Sequence, residues 1–162
     1  MLNEPLTAYT DYALAAASLG FAVATRRVIG PHNRVSGGFW CAAFVAAGIS
    51  AAAGGTFHGF DVKLEPATLR RLWNLTMFSM GACGALIAAG VHAADVKRAG
   101  RAVGWLACGI AITLVGAAVQ QGLLPAGALG ANPAFHLIQI IAFYFCFRCA
   151  RLVRDRSRIA RQ

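Results

Sequence analysis

The chain has 162 residues, of which 58% are hydrophobic and only 13% charged, and its formal net charge is +9. A soluble domain has roughly 45–50% apolar and about 25% charged residues, so this composition favours a membrane protein. The basic residues lie between apolar blocks and in the C-terminal tail. We therefore interpret the positive charge as a marker of membrane orientation and not as a nucleic-acid surface.

Five stretches are long and apolar enough to cross a bilayer, which takes about 20 residues of helix. They cover about residues 7–26, 37–60, 68–93, 102–124 and 133–153. Pro66 is placed as the first residue of the third helix, and Asn132-Pro133 is placed as an N-cap and first residue of the fifth. The sequence predicts an all-α fold, with a five-helix transmembrane domain over residues 1–153 and a basic tail over residues 154–162.

The distribution of lysine and arginine predicts the orientation of these spans. One side of the predicted bundle carries only three basic residues, accompanied by Asp61 and Glu65. They are Lys63, Arg70 and Arg71. The opposite side carries twelve: Arg26, Arg27, Arg34, Lys97, Arg98, Arg101, Arg148, Arg151, Arg154, Arg156, Arg158 and Arg161. Basic loops stay in the cytoplasm, so we expect the N-terminus outside and the C-terminus inside.

The tail that follows Arg148 is predicted to continue the fifth helix, because Asp155 lies four residues after Arg151 and three before Arg158. Its arginines are expected to anchor the topology, and they also suit contact with anionic lipid. Trp40, Trp73 and Trp105 lie near the ends of spans, as expected of an interfacial aromatic belt.

Small residues three or four apart predict where helices approach closely. Such faces occur in the second, third and fourth spans: Gly48, Ala51, Ala52 and Gly55; Gly81, Gly84 and Ala88; Gly109, Thr113 and Gly116. We expect a compact bundle with the second and third helices at its centre.

Polar residues within spans are costly, and here they fall at one depth, near the predicted outer side. Every helix contributes to this level, and the candidates for a functional site are Asp11, His58, Asn74, Gln120, Asn132, His136 and Gln139. Because His136 lies three residues before Gln139 and four after Asn132, these three share one helix face. His136 lies about a turn inside the membrane and is expected to face the bundle.

Two chemical interpretations of these residues are open. His58, His136 and Asp11 are residue types that bind zinc, whose bound water would hydrolyse an ester or amide. Alternatively, each polar side chain simply caps a helix or hydrogen-bonds to a neighbouring helix.

One pattern resembles the alkaline ceramidase group of membrane hydrolases, also called the CREST superfamily. Gly54-Gly55-Thr56-Phe57-His58, followed by Asp61, corresponds to a Ser-x-x-x-His with a following aspartate. Asn132-Pro133-Ala134-Phe135-His136 corresponds to a His-x-x-x-His on the last helix. The resemblance implies that His58 and His136 bind a metal and that Asp61 is an acid or base. Gly54 replaces the serine, Asn132 replaces a histidine, and five helices replace seven.

Two functions follow from these observations. The first is a metal-dependent hydrolase, or a binder of a lipid-like ligand, at the outer leaflet of a bacterial-type inner membrane, with Asp11 and Asp61 as acid–base residues. Asn74, Gln120, Asn132 and Gln139 would then contact the ligand or cofactor. The second is a non-enzymatic accessory subunit of a larger membrane complex, whose polar residues join helices. Transport is disfavoured, because no charged residue is predicted at mid-membrane.

Overall fold

The computed structural model describes residues 2–95 and 100–156 of the chain. Its helices are α1 (Pro5–Arg27), α2 (Arg34–Phe60), α3 (Pro66–Ala93), α4 (Arg101–Gln120) and α5 (Ala131–Ala150), with a 3-10 turn at Gly127–Leu129 before α5. The described part is therefore all-α, as the sequence predicts. Four of these helices, α2 to α5, are long and apolar enough to cross a membrane.

Helix α1 is not among those four, although it has 23 residues. Its buried face is made of small and polar side chains, which lower its hydropathy: Thr7, Ala8, Thr10, Asp11, Leu14, Ala15, Ser18, Ala22 and Thr25. These residues recur three or four apart and form one stripe, which packs against α2 and α5. The low hydropathy of α1 thus reflects a face that contacts other helices.

The helices are arranged in the order α3–α2–α1–α5–α4, since these neighbouring pairs make the main interhelical contacts. α1 therefore lies centrally, and α3 and α4 form the two ends of the row. The expectation that α3 is central was wrong. Gly81 and Gly84 have no atoms near enough to contact an added Cβ, so the predicted small face of α3 points away from its neighbours.

Two other small faces do mark close helix contacts. A Cβ at Gly55 would lie 2.9 Å from the Asp11 Cβ of α1, and one at Gly109 would lie 3.0 Å from the Cys146 Sγ of α5. Gly48 meets Leu19 in the same way, 2.9 Å from its Cγ. Glycine thus allows α2 to approach α1 and α4 to approach α5.

Several predicted boundaries differ from the structure. α4 ends at Gln120, because the chain turns at Gly122 with a φ of +74°. α5 begins at Ala131 after Gly130, whose φ is +81°, so Asn132 and Pro133 lie inside its first turn. Pro66 does begin α3. The prediction that Trp40 belongs to an interfacial belt was wrong, since its side chain is completely buried beside Gly90.

The end of α5 corrects a further prediction. The helix stops at Ala150, and residues 151–156 turn back across the bundle instead of continuing it. Asp155 forms a bridge with Ala94, its backbone N–H donates to His32 O at 2.8 Å, and Arg156 N donates to Ala93 O at 3.0 Å. Other predicted tail residues, together with Lys97 and Arg98, lie outside the described part.

The Asp155 carboxylate caps a helix that is distant in sequence. Its two oxygens accept hydrogen bonds from Val35 N and Ser36 N, each at 2.8 Å, at the beginning of α2. Asn33, the N-cap residue of α2, provides no side-chain cap, so Asp155 satisfies backbone donors that the helix leaves unpaired. We call this contact the clasp. The opposite end of the bundle, where α1, α3 and α5 begin, is called the site end.

The packing at Gly55 predicts a specific loss of stability. Gly55→Leu should lower the thermal stability of the protein in detergent, because overpacking of a tight contact costs roughly 1–3 kcal/mol. Gly84→Leu is the matched control and should have little effect, since its position is open. Equal melting temperatures for the two variants would contradict the close α1–α2 contact.

The clasp predicts a pH dependence of stability. Burial alone would raise the pKa of Asp155, but the α2 amides that bind the carboxylate, with His32 nearby, lower it below the ordinary 3.8. A lowered folded-state pKa stabilises the protein above the ordinary value, and this contribution disappears as the pH falls through the folded-state pKa. Asp155→Asn replaces one of the two accepting oxygens with an NH2 donor, so it should cost about 1 kcal/mol near neutral pH and reduce the acid sensitivity of thermal unfolding. An unchanged acid profile would contradict the role of Asp155.

Candidate functional site

The site is built on α1 and α5, whose contact at the site end buries an acid against an imidazole. Asp11 Oδ1 lies 3.2 Å from His136 Nε2, and the residues are only 4% and 7% exposed. The other ring nitrogen, Nδ1, lies 3.1 Å from Thr10 Oγ1. Thr10, His136 and Asp11 therefore form one buried hydrogen-bonded chain, which we call the Asp–His relay.

Glycine on α2 makes room for this relay. A Cβ at Gly54 would lie 3.5 Å from Asp11 Oδ1 and 3.6 Å from Oδ2, and Gly55 contacts the Asp11 Cβ. α2 therefore supplies no side chain against the carboxylate at these two positions. The Asp11 side chain can lie between α2 and α5 because Gly54 and Gly55 have no side chains that would displace it.

A cavity of about 270 Å³ adjoins the relay. All five helices line it, and its polar lining includes five of the residues predicted from sequence: Asp11, His58, Gln120, Asn132 and His136. Its apolar lining includes Leu14, Trp73, Met77, Met80 and Phe135. The cavity thus places an acid, two imidazoles and two amides beside a hydrophobic wall.

Both α3 and α4 line this cavity, through Trp73, Met77 and Met80 of α3 and Gln120 of α4. These helices are the ends of the row, and direct contact between them is slight or absent in the described part. Met77 and Met80 of α3 line the cavity yet are 53% and 41% exposed at the bundle surface. The apolar wall of the cavity therefore includes side chains that are partly exposed at the bundle surface.

A second depression, of about 400 Å³, lies at the surface of the site end between the start of α1 and the start of α5. Asn132 lines both this depression and the inner cavity, and Glu4 lines the depression. His58 Nδ1 lies 3.3 Å from Glu4 Oε2, so the His58 imidazole connects the two regions. Asn132 and His58 therefore lie between the relay and the exposed end.

The structure does not bring all predicted site residues together. Asn74 is exposed on α3 and does not line the cavity. Gln139 is buried one turn deeper, where its Nε2 donates to Thr113 Oγ1 of α4 at 3.3 Å. Asp61 accepts a hydrogen bond from Asn3 Nδ2 at 3.0 Å and from Val62 N at 2.8 Å, in exposed contacts outside the cavity.

The described residues do not form a three-ligand zinc site. No group of three histidine, cysteine or acidic side chains that would hold a metal ion occurs within residues 2–95 and 100–156. Asp11 and His136 would supply two ligands, whereas a catalytic zinc site has three protein ligands. We therefore derive no chemical step through a metal.

Sequence reasoning missed Thr10 and Glu4. Thr10 is adjacent to Asp11 and three residues after Thr7, so the polar stripe of α1 was the available signal. Glu4 precedes the helix and carries no periodic signal. Its contact with His58 depends on pairing of the N-terminal segment with the end of α2, where Asn3 N donates to Gly59 O and Glu4 N to His58 O.

The family model that matches this chain is described as a family of unknown function (DUF6962), and it covers residues 6–103 and 84–155. The chain belongs to this family. No curated protein and no solved structure matches the chain.

The relay predicts strong coupling between its two main members. His136→Gln and Asp11→Asn should each lower thermal stability, because breaking a buried pair on one side costs roughly 3–5 kcal/mol. The double variant should be far more stable than the sum predicts, with a coupling energy of roughly 1–3 kcal/mol. Denaturation of the parent, the two single variants and the double variant in the same detergent gives this coupling energy. Additive losses would contradict a direct Asp11–His136 bond.

Proposed function

We propose that this protein is a five-span membrane protein that binds an amphiphilic, lipid-like molecule in the cavity beside the Asp–His relay. The site end faces the outer side of a bacterial-type inner membrane, and the clasp end with its arginines faces the cytoplasm and anionic lipid. The excess of basic residues at the clasp end supports this orientation. The proposal rests on one observation, a cavity that combines a buried acid–imidazole pair with an apolar wall whose methionines are partly exposed at the bundle surface.

The size of the cavity supports a ligand that enters in part. Sites that enclose a small molecule measure roughly 300–1,000 Å³, and this cavity, at about 270 Å³, is slightly smaller. A polar headgroup fits, whereas a long hydrocarbon chain does not. The chain would lie along the gap between α3 and α4, where Met77 and Met80 provide adaptable apolar contacts.

Two other functions predicted from sequence compete with this proposal. A metal-dependent hydrolase, as the resemblance to the CREST group implies, would need a ligand set that the Asp11–His136 bond does not provide. An accessory subunit would use the exposed apolar faces of α3 and α4 against a partner subunit, and its cavity would bind nothing. Ligand binding in the purified protein separates the accessory function from our proposal.

The orientation predicts the accessibility of two points on the chain. A reporter that is active only in the cytoplasm should be active when it is fused after Gln162. A tag in the loop between α4 and α5 should be accessible from outside. Both results follow if α5 crosses the bilayer with its first residues outside. Two tags on the same side would contradict the five-span arrangement.

A larger side chain in the cavity wall should strongly reduce binding of the amphiphile. Met77→Trp places a larger side chain in the cavity wall, whereas the control Phe78→Trp changes a neighbouring side chain that is 78% exposed and does not line the cavity. A photoreactive long-chain alcohol, added to the protein in lipid nanodiscs, should label the cavity residues of the parent and of Phe78→Trp. Labelling should fall at least about tenfold in Met77→Trp, the equivalent of 1.4 kcal/mol. Undiminished labelling would contradict the proposed site.

A further inference from the structure

One oxygen of the relay has no hydrogen-bond partner. Asp11 Oδ2 is buried and makes no hydrogen bond to residues 2–95 or 100–156, and the residue to which it belongs lines the cavity. Leaving a buried acceptor unpaired costs roughly 1–3 kcal/mol, and more when it is charged. A group from outside the chain therefore has a reason to occupy the space beside this atom.

The protons of the relay determine what kind of group this is. Thr10 Oγ1 lies 3.0 Å from Leu6 O and 2.9 Å from Thr7 O, and both carbonyl oxygens can only accept. We assign the single Thr10 hydroxyl proton to one of these bonds. Thr10 Oγ1 then accepts from His136, so Nδ1 carries a proton.

The contact between His136 Nε2 and Asp11 Oδ1 also needs one proton. Either the imidazolium donates it to a carboxylate, or a protonated Asp11 donates it from Oδ1 to a neutral ring. In both arrangements the shared proton lies on the Oδ1 side. Oδ2 is consequently an acceptor in both, as a carboxylate oxygen or as the carbonyl oxygen of the acid.

We propose that the amphiphile bound in the cavity carries a hydrogen-bond donor, a hydroxyl or an amine, that donates to Asp11 Oδ2. This inference rests on the proposed function and specifies the headgroup of its ligand. Gly54 places no side chain next to the carboxylate and lines the same cavity as the apolar residues Leu14 and Met80. A headgroup that can only accept hydrogen bonds would leave Oδ2 unpaired and would face its lone pairs.

The test compares probes that differ in one proton. Photoreactive long-chain molecules with the same hydrocarbon chain and either a terminal alcohol, a terminal amine or the methyl ether of the alcohol are added to the full-length protein in phosphatidylcholine nanodiscs. Labelled peptides are measured by mass spectrometry. The alcohol and the amine should label the cavity about tenfold more than the ether, the ratio expected for one hydrogen bond to a buried acceptor.

Two variants connect this preference to Asp11. Gly54→Ala places a methyl group at ordinary contact distance from both Asp11 oxygens, so it should fold normally while reducing the alcohol-to-ether ratio. Gly81→Ala is the matched control, because a Cβ there meets no neighbouring atoms, and it should retain the full ratio. A preference that persists unchanged in Gly54→Ala would assign the donor to a different acceptor and overturn the inference.

The outcomes distinguish the headgroup from the binding site itself. Equal labelling by alcohol, amine and ether, still sensitive to Met77→Trp, would preserve the proposed function and overturn the donor inference, with water as the partner of Oδ2. No cavity labelling by any probe would overturn both. A strong preference that disappears in Gly54→Ala is the result we expect.

Discussion

The hydrogen bond between Asp11 and His136 is the constraint on which the arrangement of this bundle depends. A carboxylic acid within an apolar bundle is unfavourable unless it is paired, so α5 must present His136 to α1 at this depth. Gly54 and Gly55 let α2 approach the same point without displacing the acid. Three helices are thus fixed relative to one another by one polar contact and the small residues around it.

The order of the helices places the polar pair beside a cavity that all five helices line. Because α1 occupies the centre of the row, α3 and α4 are attached on opposite sides and leave a gap between them. The relay lies at the inner end of this gap, and methionines of α3 line its side. At the other end of the bundle the clasp joins the chain after α5 to the start of α2. The same segment also pairs with Ala93 and Ala94 at the end of α3, so it connects three helices at this end.

Much of the fold was predictable from sequence, because span length and the small faces of α2 and α4 are local signals. The depth of His58, Asn132 and His136 was also readable from their distance to the helix ends. The lateral arrangement of the helices could not be predicted from the sequence. Which helices are neighbours decides that Asp11 meets His136 while Asp61 stays at the surface, and no periodicity encodes it. The clasp was missed for the same reason, since Asp155 caps a helix 119 residues away in sequence.

Nitrogen-15 NMR of histidine-labelled protein in lipid nanodiscs tests the Asp–His relay most directly. The account predicts that His136 Nδ1 carries a proton that exchanges slowly with water, and that its signal shifts in Thr10→Val. It also predicts that the Nε2 signal is that of a hydrogen-bonded nitrogen and shifts in Asp11→Asn. An unprotonated Nδ1, or His136 signals that neither substitution changes, would contradict the buried relay and the ligand chemistry built on it.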